Sequence, residues 1–245
     1  MLAPSRLPAR AFEPFFGRLP GQCAVCRSWS DRAALCGDCV ARWAAPKPRC
    51  ERCAIEVPAD AAVCGACLKS PPVVARALAA VPYDHPWDGL IARFKFRDGL
   101  DLSAALAALV ADAWRRRGWN APDLLLPVPL AARRLRERGY NQAWEIARRV
   151  ARRLDLAADA RLLLRALETP HQVDLPLARR AANVRGAFAV DARRAHLLAG
   201  RAVALVDDVM TTGATLDEAA RALLRAGARS VEAWVVARTP KPDGA

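Results

Sequence analysis

All eight cysteines fall between positions 23 and 67, as four Cys-x2-Cys pairs: Cys23/Cys26, Cys36/Cys39, Cys50/Cys53 and Cys64/Cys67. The pairs are separated by 9, 10 and 10 residues. Each pair sets two thiolates on one side of a tight turn, and a second pair after a short hairpin completes a tetrahedral shell. Repeating that unit gives two zinc ribbons in tandem, Cys23/Cys26/Cys36/Cys39 and Cys50/Cys53/Cys64/Cys67. An interleaved cross-brace uses the same ligands and stays open, although short, nearly equal spacings favour sequential pairing. A single occupied zinc, with four cysteines idle, also stays open, as do iron–sulfur clusters on the same ligands. Disulfides would need an oxidising compartment. The first residues break their apolar stretch with prolines and charges, unlike a secretory signal, so the expected compartment is the cytoplasm. About 50 residues with few large apolar side chains cannot hold a core unaided, so metal binding and folding are coupled here. No histidine lies near a pair, which points to structural rather than catalytic metal.

The rest of the chain has a different character. We expect an N-terminal arm over 1–20, the double ribbon over 21–69, and a body over 70–245, entered through the stiff Pro71-Pro72 linker. Hydrophobic residues make up 53% of the chain, but 54 are alanine, which adds helix propensity more than buried area. No run of 18 or more uncharged apolar residues occurs, so no membrane span is expected. Residues 73–83 read as one or two short strands, and 87–96 and 100–114 as helices. Residues 123–130 form a nearly continuous apolar run, 142–154 is amphipathic, and 161–165 and 187–188 read as short strands. Residues 201–206 and 231–236 are buried strands flanking a helix over 216–226. Buried strands alternating with helices of this length describe an α/β fold with a doubly wound parallel sheet.

The most informative string runs from Val203 to Thr215. Apolar residues end a strand at its C-terminal edge, where open α/β sheets take their ligands. Asp207 and Asp208 follow, then Val209, Met210, Thr211, Thr212, Gly213, Ala214 and Thr215 lead into an alanine-rich helix. Backbone N–H groups in such a turn converge on an anion, Gly213 permits close approach, and the helix presents its positive end. The two carboxylates would repel a phosphate. Their tasks are therefore to accept hydrogen bonds from sugar hydroxyls or to approach a divalent cation through water. A phosphate nest beside paired hydroxyl acceptors describes a 5-phosphorylated ribose. There is no G-K-[ST] of a Walker loop and no G-x-G-x-x-G.

This string resembles the phosphoribosyl pyrophosphate (PRPP) signature of type I phosphoribosyltransferases. The resemblance makes Asp207 and Asp208 the candidate catalytic, ribose-holding pair and puts Val209 to Thr215 around the ligand. It narrows to the ComF/GntX family of competence-associated, phosphoribosyltransferase-like proteins with an N-terminal double zinc ribbon. The matching pieces are the four cysteine pairs, Phe94-Lys95-Phe96, Val128-Pro129-Leu130 with Arg133 and Arg134, and Arg136-x-Arg138-Gly139-Tyr140-Asn141-Gln142. Gln172, Leu175, Arg179, Asn183, Val184, Gly186 and Phe188 continue the match. One departure is Glu168-Thr169-Pro170-His171, where an arginine beside the threonine is commoner. The resemblance implies that Lys95, Arg133, Arg134, Arg136, Arg138, Tyr140, Asn141 and Gln142 serve the pyrophosphate end with Mg²⁺. It also implies a lid carrying Gln172, Arg179 and Asn183.

The charge, 38 Lys plus Arg against 25 Asp plus Glu, is +13. Two tetrathiolate zinc sites would lower it to about +9. The excess is almost all arginine and suits a polyanionic partner, although a GC-rich coding sequence would also inflate arginine. The resemblance implies PRPP binding together with a part in DNA uptake or processing during natural transformation, on single-stranded DNA. Arg27, Arg32, Arg42, Lys47, Arg49 and Arg52 on the ribbons are compatible with it, but no basic stripe interleaved with aromatics is evident. Two alternatives remain. One is an active Mg²⁺-dependent phosphoribosyltransferase that moves 5-phosphoribose to a nitrogen acceptor and releases pyrophosphate; the other is a ribbon adaptor docking a helicase or translocation component.

Overall fold

The computed structural model describes residues 21–30, 34–96, 99–166 and 186–240. The expected arm and the lid positions Gln172, Arg179 and Asn183, like Arg32, lie outside them.

The first ribbon pairs β1 (Gly21–Gln22) antiparallel to β2 (Trp29–Ser30) and ends in α1 (Gly37–Trp43). The second has an Arg49–Glu56 bridge and α2 (Gly65–Lys69). The body follows as β3 (Arg76–Pro82), α3 (Trp87–Phe96), α4 (Ser103–Arg115), β4 (Leu124–Pro127), α5 (Ala132–Arg138) and α6 (Gln142–Leu154). Next come β5 (Leu163–Arg165), β6 (Phe188–Val190), β7 (Ala202–Met210), α7 (Ala214–Arg225) and β8 (Ser230–Arg238). Strands β3, β8, β7 and β4 form one four-stranded sheet in that order, all parallel.

Parallel strands covered on both faces bury every side chain, and period two decides which layer each joins. Leu78, Ala80, Leu125, Ala204, Val206, Trp234 and Val236 share a buried cluster with residues of α3, α4 and α6. The intervening Ala77, Ala79, Leu124, Leu126, Val203, Leu205, Ala233 and Val235 share another with Leu216, Ala219, Ala220 and Leu223 of α7. The many alanines let helices approach the sheet closely, while Trp87, Trp234 and Phe94, all below 2% exposure, supply bulk. Helix α6 matches its expected bounds and buries Ile146, Ala147, Val150 and Ala151 along one stripe.

The two ribbons pack on different layers. Cys23, Leu35, Cys39 and Ala44 belong to the same cluster as Trp87, whose indole N–H donates to the Trp43 carbonyl at 2.9 Å. Ala54 of the second ribbon joins the α7 layer. That ribbon also lies along β3, the edge strand of the sheet: the Ala77 N–H donates to the Glu51 carbonyl at 2.8 Å, so the start of the edge is covered.

Three sequence expectations change in detail. Strand β7 does not end at Val206; it runs on through both aspartates to Met210, because β8 pairs with it as far as Arg238. The strand at 163–165 lies outside the parallel sheet and pairs antiparallel with β6. Residues 132–138, assigned no element from the sequence, form α5, closed by Gly139 at φ 77°. Among the described residues no helix is long and apolar enough to cross a membrane.

Candidate functional site

The cysteines separate into two groups, Cys23/Cys26/Cys36/Cys39 and Cys50/Cys53/Cys64/Cys67, with ligand atoms within 4.8 Å of one another. The pairing is thus sequential rather than cross-braced. Both groups are built the same way. The turn after the first pair closes through Arg27 N–H to the Cys23 carbonyl, and through Ala54 N–H to the Cys50 carbonyl. Arg27 and Ala54 take the same left-handed conformation, φ 64° and 57°. The Cys36 and Cys64 amides donate to the Cys23 and Cys50 Sγ atoms at 3.4 and 3.3 Å. Burial opposes ionisation of these two thiols, but backbone N–H donors outweigh it and bring Cys23 to about 6 and Cys50 to about 7. Four converging sulfurs with amide donors fit a tetrahedral thiophilic ion, and each group could hold zinc.

At the C-terminal edge of the sheet, where β7 gives way to α7, lies a cavity of about 320 Å³. Its lining includes Asp207, Asp208, Val209, Met210, Thr211, Gly213, Ala214 and Thr215. Thr212 lines a neighbouring cleft against the second ribbon instead. Gly213 stands before the first residue of α7 at φ 85°, and a Cβ there would meet Met210 Cε at 2.7 Å. The left-handed φ favours glycine at this turn, which brings the positive end of α7 to the cavity. Asp207 accepts its neighbour's amide, Asp208 N–H, at 2.8 Å. Asp208, 6% exposed, pairs with Lys95 Nζ at 2.9 Å. Burial works against the Lys95 charge, but the Asp208 and Asp207 carboxylates outweigh it and hold its pKa above the ordinary lysine value. Burial, then the Asp208 charge, push Asp207 up to about 7.

The arginines expected at the pyrophosphate end divide. Arg134 and Arg138, one turn apart on α5, line the cavity, whereas the exposed Arg133 and Arg136 do not. Arg133 Nε donates to Glu137 at 2.7 Å. Arg138 lies over the Phe96 ring at 4.7 Å and donates to Gln142 Oε1 at 3.1 Å. The string after Gly139 organises this wall. The Tyr140 hydroxyl donates to the Phe94 carbonyl, Asn141 caps α6 and donates to the Val128 carbonyl at 3.1 Å, and Gln142 reaches the Lys95 carbonyl at 3.4 Å. Asn141 and Gln142 line the cavity; Tyr140 stands behind it.

Sequence reasoning missed Arg165 and Tyr83, which also line the cavity. Arg165 comes from the β5–β6 hairpin, a position no local pattern marks. Burial and the like charge of Arg134 weaken its hold on the proton, while Asp207 strengthens it; Arg134 acts on Arg138 in the same sense. Three guanidinium groups and Lys95 thus share one small cavity with two carboxylates, a field that attracts a polyanion with a hydroxylated core.

A parallel sheet that delivers adjacent acids and a glycine turn to a helix N-terminus, behind two four-cysteine ribbons, defines a type I phosphoribosyltransferase-like domain with a double zinc-ribbon head. The family model described as "Phosphoribosyl transferase domain" matches residues 141–244. The chain is 32% identical over 231 residues to the DNA utilization protein YhgH of Escherichia coli K12, covering 90% of this chain and 98% of that protein. It is 35% identical over 195 residues to Competence protein F of Haemophilus influenzae, covering 78% and 85%. This chain belongs to the ComF/GntX family. Among solved structures it is similar to the glutamine PRPP amidotransferase of B. subtilis, at 17% identity and a TM-score of 0.39 over 59% of this chain and 30% of that one. A likeness that partial carries no argument.

Proposed function

We propose that the protein binds PRPP in the cavity between β7, α5 and the start of α7, and that it serves in DNA uptake or processing, on single-stranded DNA. The observation that carries the first half is the shared cavity. Hydroxyl acceptors (Asp207, Asp208), a glycine turn at a helix N-terminus and the cations Lys95, Arg134, Arg138 and Arg165 line one volume of about 320 Å³. The turn from Thr211 to Thr215 takes the 5-phosphate, the two aspartates hold the ribose hydroxyls, and the α5 arginines meet the pyrophosphate. The paired carboxylates are hard oxygen donors that fit a water-coordinated divalent cation; Mg²⁺, when bound, would offset pyrophosphate charge. The DNA half is supported by the names of the relatives, a DNA utilization protein and a competence protein, and by the basic charge of the chain.

The cation cluster also favours a second reading, transfer of the phosphoribosyl group. The C1–O bond to pyrophosphate would break as a nitrogen acceptor bonds to C1. Arg134 and Arg138 would take up the charge on the departing oxygen, and Asp207 and Asp208 would hold the sugar still.

Titration calorimetry with PRPP and magnesium tests the binding site. The wild-type protein should give saturable heat, and Asp207→Asn with Asp208→Asn should abolish it while both metal groups keep their zinc. Normal binding by the double variant would mean that the ligand sits elsewhere.

A further inference from the structure

Arg238, the last residue of β8, is 8% exposed and reaches two parts of the molecule at once. Its Nε donates to the carbonyl of Cys53, a member of the second four-cysteine group, at 2.8 Å. Its Nη1 donates to the carbonyls of Met210 at 3.2 Å, of Thr211, and of Thr239 at 2.8 Å, and to Thr239 Oγ1 at 3.1 Å. Met210 and Thr211 lead into the Gly213 turn. The Thr239 amide adds a further bond to the Met210 carbonyl at 3.2 Å. Five hydrogen bonds, to four carbonyls and one hydroxyl, hold this buried guanidinium, with no carboxylate among those partners.

The far side of the same turn is tied to the same ribbon. Asp217, in the first turn of α7, accepts the amides of Val73 at 3.0 Å and Val74 at 3.2 Å, where the chain leaves the ribbon through Pro71-Pro72. Arg52 donates to the Ala75 carbonyl at 3.1 Å and Glu51 accepts from Ala77, so the ribbon is fixed to β3 as well. The first ribbon is anchored elsewhere, through Trp43 to Trp87 at the start of α3.

We propose that Arg238 is a positioning residue that makes the phosphate turn depend on the second four-cysteine group and not on the first. The inference rests on the PRPP reading for its ligand readout, but the coupling itself exists without ligand. With its four cysteines holding a metal, the second group would fix the Cys53 carbonyl; through it Arg238 holds Met210 and Thr211 in the shape that aims the turn at the cavity. Lysine at this position keeps the charge but cannot span two sets of carbonyls.

The test uses Arg238→Lys in the full chain, with zinc content, hydrogen exchange and PRPP calorimetry as readouts. We expect two zinc ions per chain to remain, amide exchange over residues 211–215 to rise at least tenfold without ligand, and PRPP to bind at least tenfold more weakly. Unchanged turn exchange in a zinc-replete Arg238→Lys protein would overturn the proposal. A wild-type protein that ignores PRPP would overturn only the ligand assignment, since exchange reads the coupling independently. Should the variant lose its metal, chelator titration of the wild-type protein takes its place. Turn exchange should rise in step with loss of the second zinc, and exchange independent of that zinc would refute the coupling.

Discussion

Asp207 and Asp208 are sequence neighbours in one strand, yet they do different work. Asp208 is neutralised by Lys95, while Asp207 carries the electrostatic cost of the pair and is pushed up to about 7. A ligand that needs the Asp207 carboxylate meets a mostly protonated site at pH 6 and a mostly ionised one at pH 8. Its affinity should therefore rise about tenfold over that interval, following the ionised fraction. The 5-phosphate also ionises near pH 6, so the comparison is with Asp207→Asn, which should keep only that smaller dependence. The stability sign is the reverse. An acid whose folded pKa exceeds its ordinary 3.8 contributes stability that is complete below about pH 4 and lost as pH rises through about 7. The ligand-free melting temperature of the wild type should accordingly fall across that window relative to Asp207→Asn. Parallel pH profiles for the two proteins would remove Asp207 from the site.

Helix α5 sets which arginines can act. Its 3.6-residue period puts Arg134 and Arg138 on one face, over the cavity, and leaves Arg133 to pair with Glu137 in solvent. Truncating Arg134 or Arg138 to alanine should weaken PRPP binding by about tenfold to a hundredfold, the range of a lost charge-assisted contact of roughly 1.5–3 kcal/mol. The same change at Arg133 or Arg136 should stay within twofold. Calorimetry on the four variants separates the faces, and equal losses at all four would show that the helix acts only as a diffuse charge. In sequence these residues were four equivalent candidates; nothing but the helix, stopped by Gly139, divides them.

For the whole molecule, the ribbons serve as walls of the body rather than as a tethered head: one joins the α3–α4 layer, the other lies along β3 and meets the Gly213 turn through Arg238. The first ribbon also presents Trp29, 72% exposed, at the end of a hairpin that includes the exposed Arg27. An aromatic face beside cationic charge is how single strands are held without sequence preference, with about 1–3 kcal/mol per stacked base. Retardation of a labelled single strand should therefore weaken steeply with salt, and Trp29→Ala should lower affinity about fivefold or more at fixed salt. Salt-independent binding, or a tryptophan variant that binds normally, would turn the DNA reading away from this ribbon.

Local sequence was enough to mark the eight cysteines as candidate metal ligands, most of the strands and helices of the body, and the string from Asp207 to Thr215. Each of these is written in neighbouring residues, as a spacing, a period or a turn residue. Tertiary structure alone decided that Arg165 joins the cavity, that Lys95 pairs with Asp208, that two of four arginines face inward, and that Arg238 links a cysteine turn to the Met210–Thr211 turn far along the chain. Those relations depend on which layer and which edge of the parallel sheet each segment reaches. Parallel pairing joins segments far apart in the chain, so no local pattern could record them.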